Sequence, residues 1–294
     1  MIVSLNLDDL LMKAGIPREK TIVMRHVPKE PLLRRNLPWM AEEQHDAYNA
    51  YQATQGPKAE ASLRDGDWLI SCVGLNSKMA TFVGLYAIGD ELSMLRKELW
   101  ERPEFKSLLA HSESPAPTDL QSMVRLFPLT LQETFSQWKG RLVFHWPGLE
   151  RSWYRRAHNN TFEVHQIHET SQLVPKVPVW NEINLAWSEL ATLPSVWRTA
   201  LAGWRGIYYI FDVSLKLGYV GAAYSQENIL GRWTNYAKSG HGGNKLLKKS
   251  NPANLRFTIL QRMSPDASKD EVTEQERLWK GRLHTFGHGL NDNF

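Results

Sequence analysis

The sequence predicts an α+β protein: a β-rich first part with interspersed helices, followed by a smaller α/β second part. Three observations lead there. The first two-thirds hold at least five strand-like runs set between helical stretches and tight turns, which suits a mixed, barrel-like β domain. Gly206-Ile207-Tyr208 and Tyr219-Val220-Gly221 mark two short strands close enough to form a hairpin. Helical patterns fill much of the chain after that hairpin. At 294 residues the chain is long enough for two buried cores, and 42% apolar content with twelve tryptophans argues against extended disorder.

Residues 7–14 have the spacing of a short amphipathic helix closed by Gly15 and Pro17, and 21–27 are strand-like. Residues 42–55 read as a helix with Ala47, Tyr48 and Tyr51 on one side, ended by Gly56-Pro57. Strands are expected at 67–73 and 80–88, joined by a Gly/Asn/Ser loop. A helix over 93–110, interrupted at Pro103, leads into a loop at 112–119. Three more strands follow at 141–146, 152–156 and 161–167, with turns at Pro147-Gly148 and His158-Asn159-Asn160. After a stiff Val174-Pro175-Lys176-Val177-Pro178 segment, 182–193 and 195–203 read as helices broken by Pro194. The chain therefore divides into a mixed domain at 1–180, a helical connector at 181–202 and a compact segment at 203–294.

Charge is unevenly spread. Residues 201–294 hold 13 Lys and Arg against 8 Asp and Glu, whereas 1–200 hold 22 against 23. The positive excess thus lies where a phosphate backbone would need it. One cysteine, Cys72, excludes a disulfide framework and a cysteine-rich zinc site, and favours a reducing cytoplasm. No apolar run reaches ~18 residues and no basic-then-apolar leader opens the chain, so neither a membrane span nor export is expected. Phosphate-binding Gly-x-x-x-x-Gly-Lys and nucleophile-elbow patterns are absent. His165 and His168, three apart on an expected strand, would point to opposite faces and make a poor zinc site.

Phosphodiester hydrolysis needs an activated water, neutralised phosphate charge and a cation near the leaving oxygen. The second part offers residues for each. Tyr208 and Tyr219 would meet across a hairpin turned around 214–218. Arg232 and Tyr236, four apart, would share one helix face. His241 opens a His-Gly-Gly turn ahead of Lys245, Lys248 and Lys249, whose ammonium groups suit phosphate contact. Glu276 sits on a helix whose apolar side is read at Leu278, Trp279 and Leu283, and Asn291 follows near the end.

With these motifs, residues 203–294 resemble the GIY-YIG nuclease family. The resemblance implies a small antiparallel sheet flanked by helices and a metal-dependent endodeoxyribonuclease acting on double-stranded DNA. It makes Tyr208 the general base, lets Tyr219 position water or phosphate, and sets Arg232 on the scissile phosphate. Tyr236 would aid proton transfer, His241 would take part in catalysis, and Glu276 would be the one carboxylate ligand of a single Mg²⁺ or Mn²⁺ per active site. Asn291, or Asn293 two residues on, would brace the site. A phenol with its usual pKa near ~10 is a poor base at neutral pH, so nearby positive charge is expected to lower it. The Tyr219–Arg232 interval is a few residues longer than in compact family members, as a longer loop would make it.

Because the chain ends just after Asn291, target choice is expected in the first part. There Phe82-Val83-Gly84-Leu85-Tyr86, with the tryptophan-rich strands, is faintly similar to PUA, EVE and ASCH-like barrels, some of which bind nucleic acid or a flipped base. Arg151, Trp153, Arg155 and Arg156 form the expected DNA face, a combination that suits backbone contact and stacking. Arg25, His26, Arg34 and Arg35 form a second basic patch, and Trp68, Phe82 or Trp146 could line a base pocket. The function expected is restriction of foreign or modified DNA, with a homodimer for cutting both strands. A repair or mobile-element nuclease, or a non-catalytic DNA-binding protein, are the alternatives.

Overall fold

Six consecutive buried residues make up strand β1 (Thr21–His26), as a strand covered on both faces requires. The computed structural model describes residues 5–113, 118–150, 152–226 and 228–292, in two units, Met1–Pro175 and Lys176–Phe294.

The first unit opens with α1 (Leu7–Lys13), started by a reciprocal Asn6–Asp9 capping box. β1 lies parallel to β2 (Trp68–Val73), and parallel neighbours need a long crossover. Helices α2 (Pro31–Glu43), α3 (His45–Ala53) and α4 (Pro57–Asp65) supply it. Antiparallel β3 (Met79–Ile88) follows, then β4 (Leu92–Leu95), α5 (Arg96–Glu101) and α6 (Pro103–Ala110). The unit finishes with β5 (Met123–Leu126), β6 (Leu129–Leu131), β7 (Leu142–His145), β8 (Tyr154–Arg156) and β9 (Val164–Ile167). The main sheet runs β8-β1-β2-β3-β7-β9 with β6 also on β3, curled into a half-barrel, while β4 and β5 pair separately. Val23, Ile70, Cys72 and Phe82 pack with α1 on one face, and Ile22, Met24 and Leu69 meet Ala59 and Leu63 of α4 on the other.

Several expectations change. Helices α2 and α4 were not foreseen; in α2 the internal Pro38 reads as a breaker. Residues 93–95 belong to strand β4, so the expected helix starts only at Arg96. Phe82 and Trp146 are 1% and 3% exposed and Trp68 packs on the same cluster, so these three are core and line no base pocket. Arg25 and His26 are buried too, which removes them from a surface patch with Arg34 and Arg35.

The second unit contains β10 (Asn184–Ala186), α7 (Ser195–Gly203), β11 (Arg205–Asp212) and β12 (Leu217–Ala223). Next come α8 (Asn228–Ser239), β13 (Leu255–Met263) and α9 (Lys269–Arg282). All pairings are antiparallel, in the order β10-β13-β11-β12. Side chains alternate between two cores: Tyr208, Ile210 and Phe257 meet Ile229, Trp233 and Tyr236 of α8, while Ile207, Val220 and Ala222 meet Val272 of α9. The 181–202 segment is not a helical connector. Only α7 is α-helical there; β10 joins the sheet, and Ile183, Leu185, Leu190 and Leu193 enter the core. Among the described residues no helix is long and apolar enough to cross a membrane.

Candidate active site

The β11–β12 hairpin is closed by Asp212, whose Oδ1 accepts the N–H groups of Ser214 and Leu215 at 2.9 and 3.0 Å. Its register sets Tyr208 opposite Gly221 and Ile210 opposite Tyr219. With a period of two, both phenols then share the face covered by α8, and their ring centroids lie 6.4 Å apart. Gly221 is what lets Tyr208 lie across the neighbouring strand: a Cβ there would sit 2.4 Å from the phenol oxygen. Gly206 has a comparable need, since a Cβ would come 2.1 Å from the Gln261 carbonyl oxygen beside a β-bulge at Ile207/Tyr208.

Helix α8 brings Arg232 and Tyr236 onto this face, one turn apart. The Tyr236 and Tyr208 hydroxyls are 3.2 Å apart, and Tyr236 is also hydrogen-bonded to Tyr219. Arg232 lies over the Tyr224 ring at 5.9 Å, and its buried Nε has no hydrogen-bond partner. A buried donor of that kind costs free energy until an acceptor arrives.

Burial, reinforced by the neighbouring phenols, pushes Tyr208, Tyr219 and Tyr236 well above the usual phenol range. Arg232 opposes the shift without reversing it. The expected lowering by positive charge is therefore not met by the protein alone. For Arg232, burial disfavours the cation, yet the surrounding phenols hold its pKa above the ordinary value.

On α9 the three glutamates have separate roles. Glu271 completes a capping box with Ser268, and Glu274 pairs with Arg277 at 3.0 Å. Glu276 faces inward with its side chain 18% exposed, 3.2 Å from the Lys280 ammonium one turn on. Val272, Glu276, Trp279 and Lys280 line the covered side at helical spacing. Leu278 and Leu283, expected on that side, are instead 40% and 39% exposed. The charge of Glu276 opposes ionisation of both Tyr208 and Tyr219, which places the carboxylate near the same spot. Lys280 was missed in the sequence, although its i+4 spacing from Glu276 was visible.

Asn291 acts on the backbone: its carboxamide accepts the Val220 N–H and donates to the Val220 carbonyl, both at 2.9 Å. Asn291→Ala strands two buried peptide groups, an expected loss of about 2–4 kcal/mol in urea unfolding.

The remaining expected residues are less convergent. His241 Nδ1 accepts the Gly243 N–H at 2.9 Å within its own loop, and no hydrogen bond among the described residues joins it to the phenols. Lys245, Lys248 and Lys249 are exposed, on a loop ending in a single 3-10 turn. In the first unit Arg155 stacks over Trp146 and Arg156 pairs with Asp65 at 2.7 Å, so both guanidinium groups already have internal partners. Trp153 is half-buried and borders a cavity. Arg151 and Asn293 lie outside the described residues.

No group of three or more His, Cys, Asp or Glu that could hold a metal occurs among the described residues. One carboxylate does not make an all-protein cage. It does suit Mg²⁺ or Mn²⁺, which retain waters and take further oxygens from a substrate phosphate. No family model, curated protein or solved structure matches the chain.

Proposed function

We propose that the chain is a metal-dependent DNA endonuclease of the GIY-YIG kind that restricts foreign or modified double-stranded DNA. One observation carries this reading: two buried phenols and a half-buried third, a guanidinium with an unpartnered Nε and an inward-facing carboxylate gather on one side of a small sheet. Arg232 would turn that Nε and its terminal nitrogens to a scissile phosphate, where a planar fork suits the oxygens. Glu276 would hold one Mg²⁺ or Mn²⁺ together with phosphate oxygens and water. When bound, the cation supplies a water of lowered pKa and positive charge close to the phenols. Tyr208, protonated at neutral pH, would orient the attacking water through its hydroxyl, which the contact with the Tyr236 hydroxyl holds in place. Asn291 would keep β12, and with it Tyr219, in register.

The Lys280 ammonium on Glu276 favours a second reading, a DNA-binding protein of the same fold that does not cut. Incubating the protein with differently modified phage DNAs in Mg²⁺ or Mn²⁺, and mapping the ends, separates the two. Nicks and breaks support the nuclease, whereas DNA bound but uncut in both metals supports the second. Tyr208→Phe keeps the ring and removes the hydroxyl. It is expected to lower cleavage about 10²-fold with the thermal midpoint nearly unchanged.

A further inference from the structure

Strands β7 and β9 bring two imidazoles together on the surface of the first unit. His145 Nε2 and His165 Nδ1 lie 3.1 Å apart, although 20 residues separate them in the chain. The rings meet edge-on, with centroids 4.6 Å apart and planes at 68°, and both residues are exposed. We infer that this pair chelates a divalent transition-metal ion of the Zn²⁺ or Ni²⁺ class. The inference concerns the first unit and stands apart from the phosphodiester chemistry proposed for the second.

The pairing of β7 with β9 aims the rings. Val143 faces Gln166 and Phe144 faces Val164, so His165 is the extra residue of a β-bulge. In unbroken pairing His165 would stand opposite Phe144 and share its face, which is core. The extra residue gives that place to Val164, which packs on the same cluster, and turns the imidazole out beside His145. His145 follows Phe144 and points away from the core by the alternation of a strand. His168, three residues past His165, is no part of the pair; its backbone is tied to Arg141.

A bulge costs the sheet a ladder position, and a hydrogen bond between two exposed imidazoles returns little, since water competes for both. Converging ring nitrogens are what a metal ion uses. With Zn–N bonds of about 2.0–2.1 Å, two nitrogens stand about 3.3 Å apart on a tetrahedral ion and about 2.9 Å apart at right angles. The 3.1 Å separation lies between these values. Imidazole suits Zn²⁺ and Ni²⁺, whereas Mg²⁺ prefers oxygen.

A neutral imidazole carries one N–H, and in this contact the proton sits on one of the two facing nitrogens. Coordination needs both lone pairs. The donor ring therefore gives that proton to water and takes one up on its far nitrogen, a change of tautomer with no net change of charge. No third His, Cys, Asp or Glu joins the pair among the described residues, so water completes the coordination. Glu163 is exposed across from His145, whose N–H donates to the Glu163 carbonyl at 2.9 Å, and adds negative charge nearby. Because β9 is the last strand of its sheet, the ion fastens that edge to β7.

The test titrates full-length protein with NiCl₂ or ZnCl₂ in a calorimeter, in excess Mg²⁺ to fill oxygen sites. One ion per chain is expected, with a Kd on the order of 10 µM. His145→Ala and His165→Ala each weaken uptake at least about tenfold, because a lone imidazole has lost its chelate partner. His168→Ala changes it less than about twofold. Both exposed variants keep the wild-type thermal midpoint in EDTA, and the metal raises the midpoint of the wild type alone. Long-range ¹H–¹⁵N spectra show one facing nitrogen passing from N–H to metal-bound.

Equal uptake by wild type and His145→Ala overturns the inference, as does no uptake below millimolar metal, which leaves the pair a hydrogen bond only. Uptake lost in Glu276→Gln also overturns it, by moving the ion to the second unit. DNA cleavage is not involved, so a protein that binds Ni²⁺ through both imidazoles and never cuts faults the nuclease reading alone.

Discussion

Glu276→Ala is expected to lower Mg²⁺-dependent DNA cleavage by about 10³-fold or more, with affinity for DNA changed less than about threefold. The asymmetry follows from α9. Glu271 caps the helix and Glu274 pairs with Arg277 on the solvent side, so neither can replace an inward carboxylate. On the proposed reading, DNA affinity would come from cations elsewhere, which the substitution leaves in place. Because Glu276 also touches Lys280 at 3.2 Å, Glu276→Gln is the sharper variant: it keeps the shape and an acceptor for the ammonium while losing the charge. Cleavage rates and anisotropy on one duplex, measured for both variants, decide the matter. Cleavage by Glu276→Gln at more than a tenth of the wild-type rate would remove this carboxylate from the site.

The second large effect is on stability and concerns acid. Burial holds the His26 pKa down from 6.5 to about 4 in the folded chain. With a depressed folded value, the unfolded state takes up the proton first. The contribution is therefore complete above pH 6.5 and is lost as pH falls towards 4. Over that window it amounts to roughly 3 kcal/mol. His26→Gln cannot titrate, so the stability difference between wild type and variant is expected to shrink or reverse by that amount between pH 7 and 4. Urea unfolding curves at half-unit pH steps provide the measurement, and a difference independent of pH would contradict the neutral, buried imidazole.

What could be read from the sequence was local. β1, β2, β3 and the β11–β12 hairpin follow from alternation and from turn residues, signals written within a few positions. The convergence of Tyr208, Tyr219, Arg232 and Tyr236 was legible for the same reason: strand pairing and one helical turn suffice to place them. What escaped depends on contacts distant in the chain. α2 carries Pro38 yet persists because Leu37, Trp39 and Met40 are buried against α3 and the sheet. Residues 184–186 look helical by spacing, but pairing with β13 draws them into the sheet. Trp153, assigned to a DNA face, is half-buried beside a cavity, whereas His26 was assigned to a surface. Only tertiary placement shows the imidazole to be 2% exposed with an unpartnered nitrogen.

Strand β12 is the last in its sheet, and its outer rim would ordinarily invite another chain to zip onto it. Here that rim is already taken: Asn291 occupies both peptide groups of Val220, and the Leu290 N–H takes the Gly218 carbonyl. β-augmentation between copies is blocked at those peptides. Were two copies to act on opposite DNA strands, as the proposed function would need for a double-strand break, they would have to meet through side chains or through the duplex itself, leaving each hairpin's phenols undisturbed.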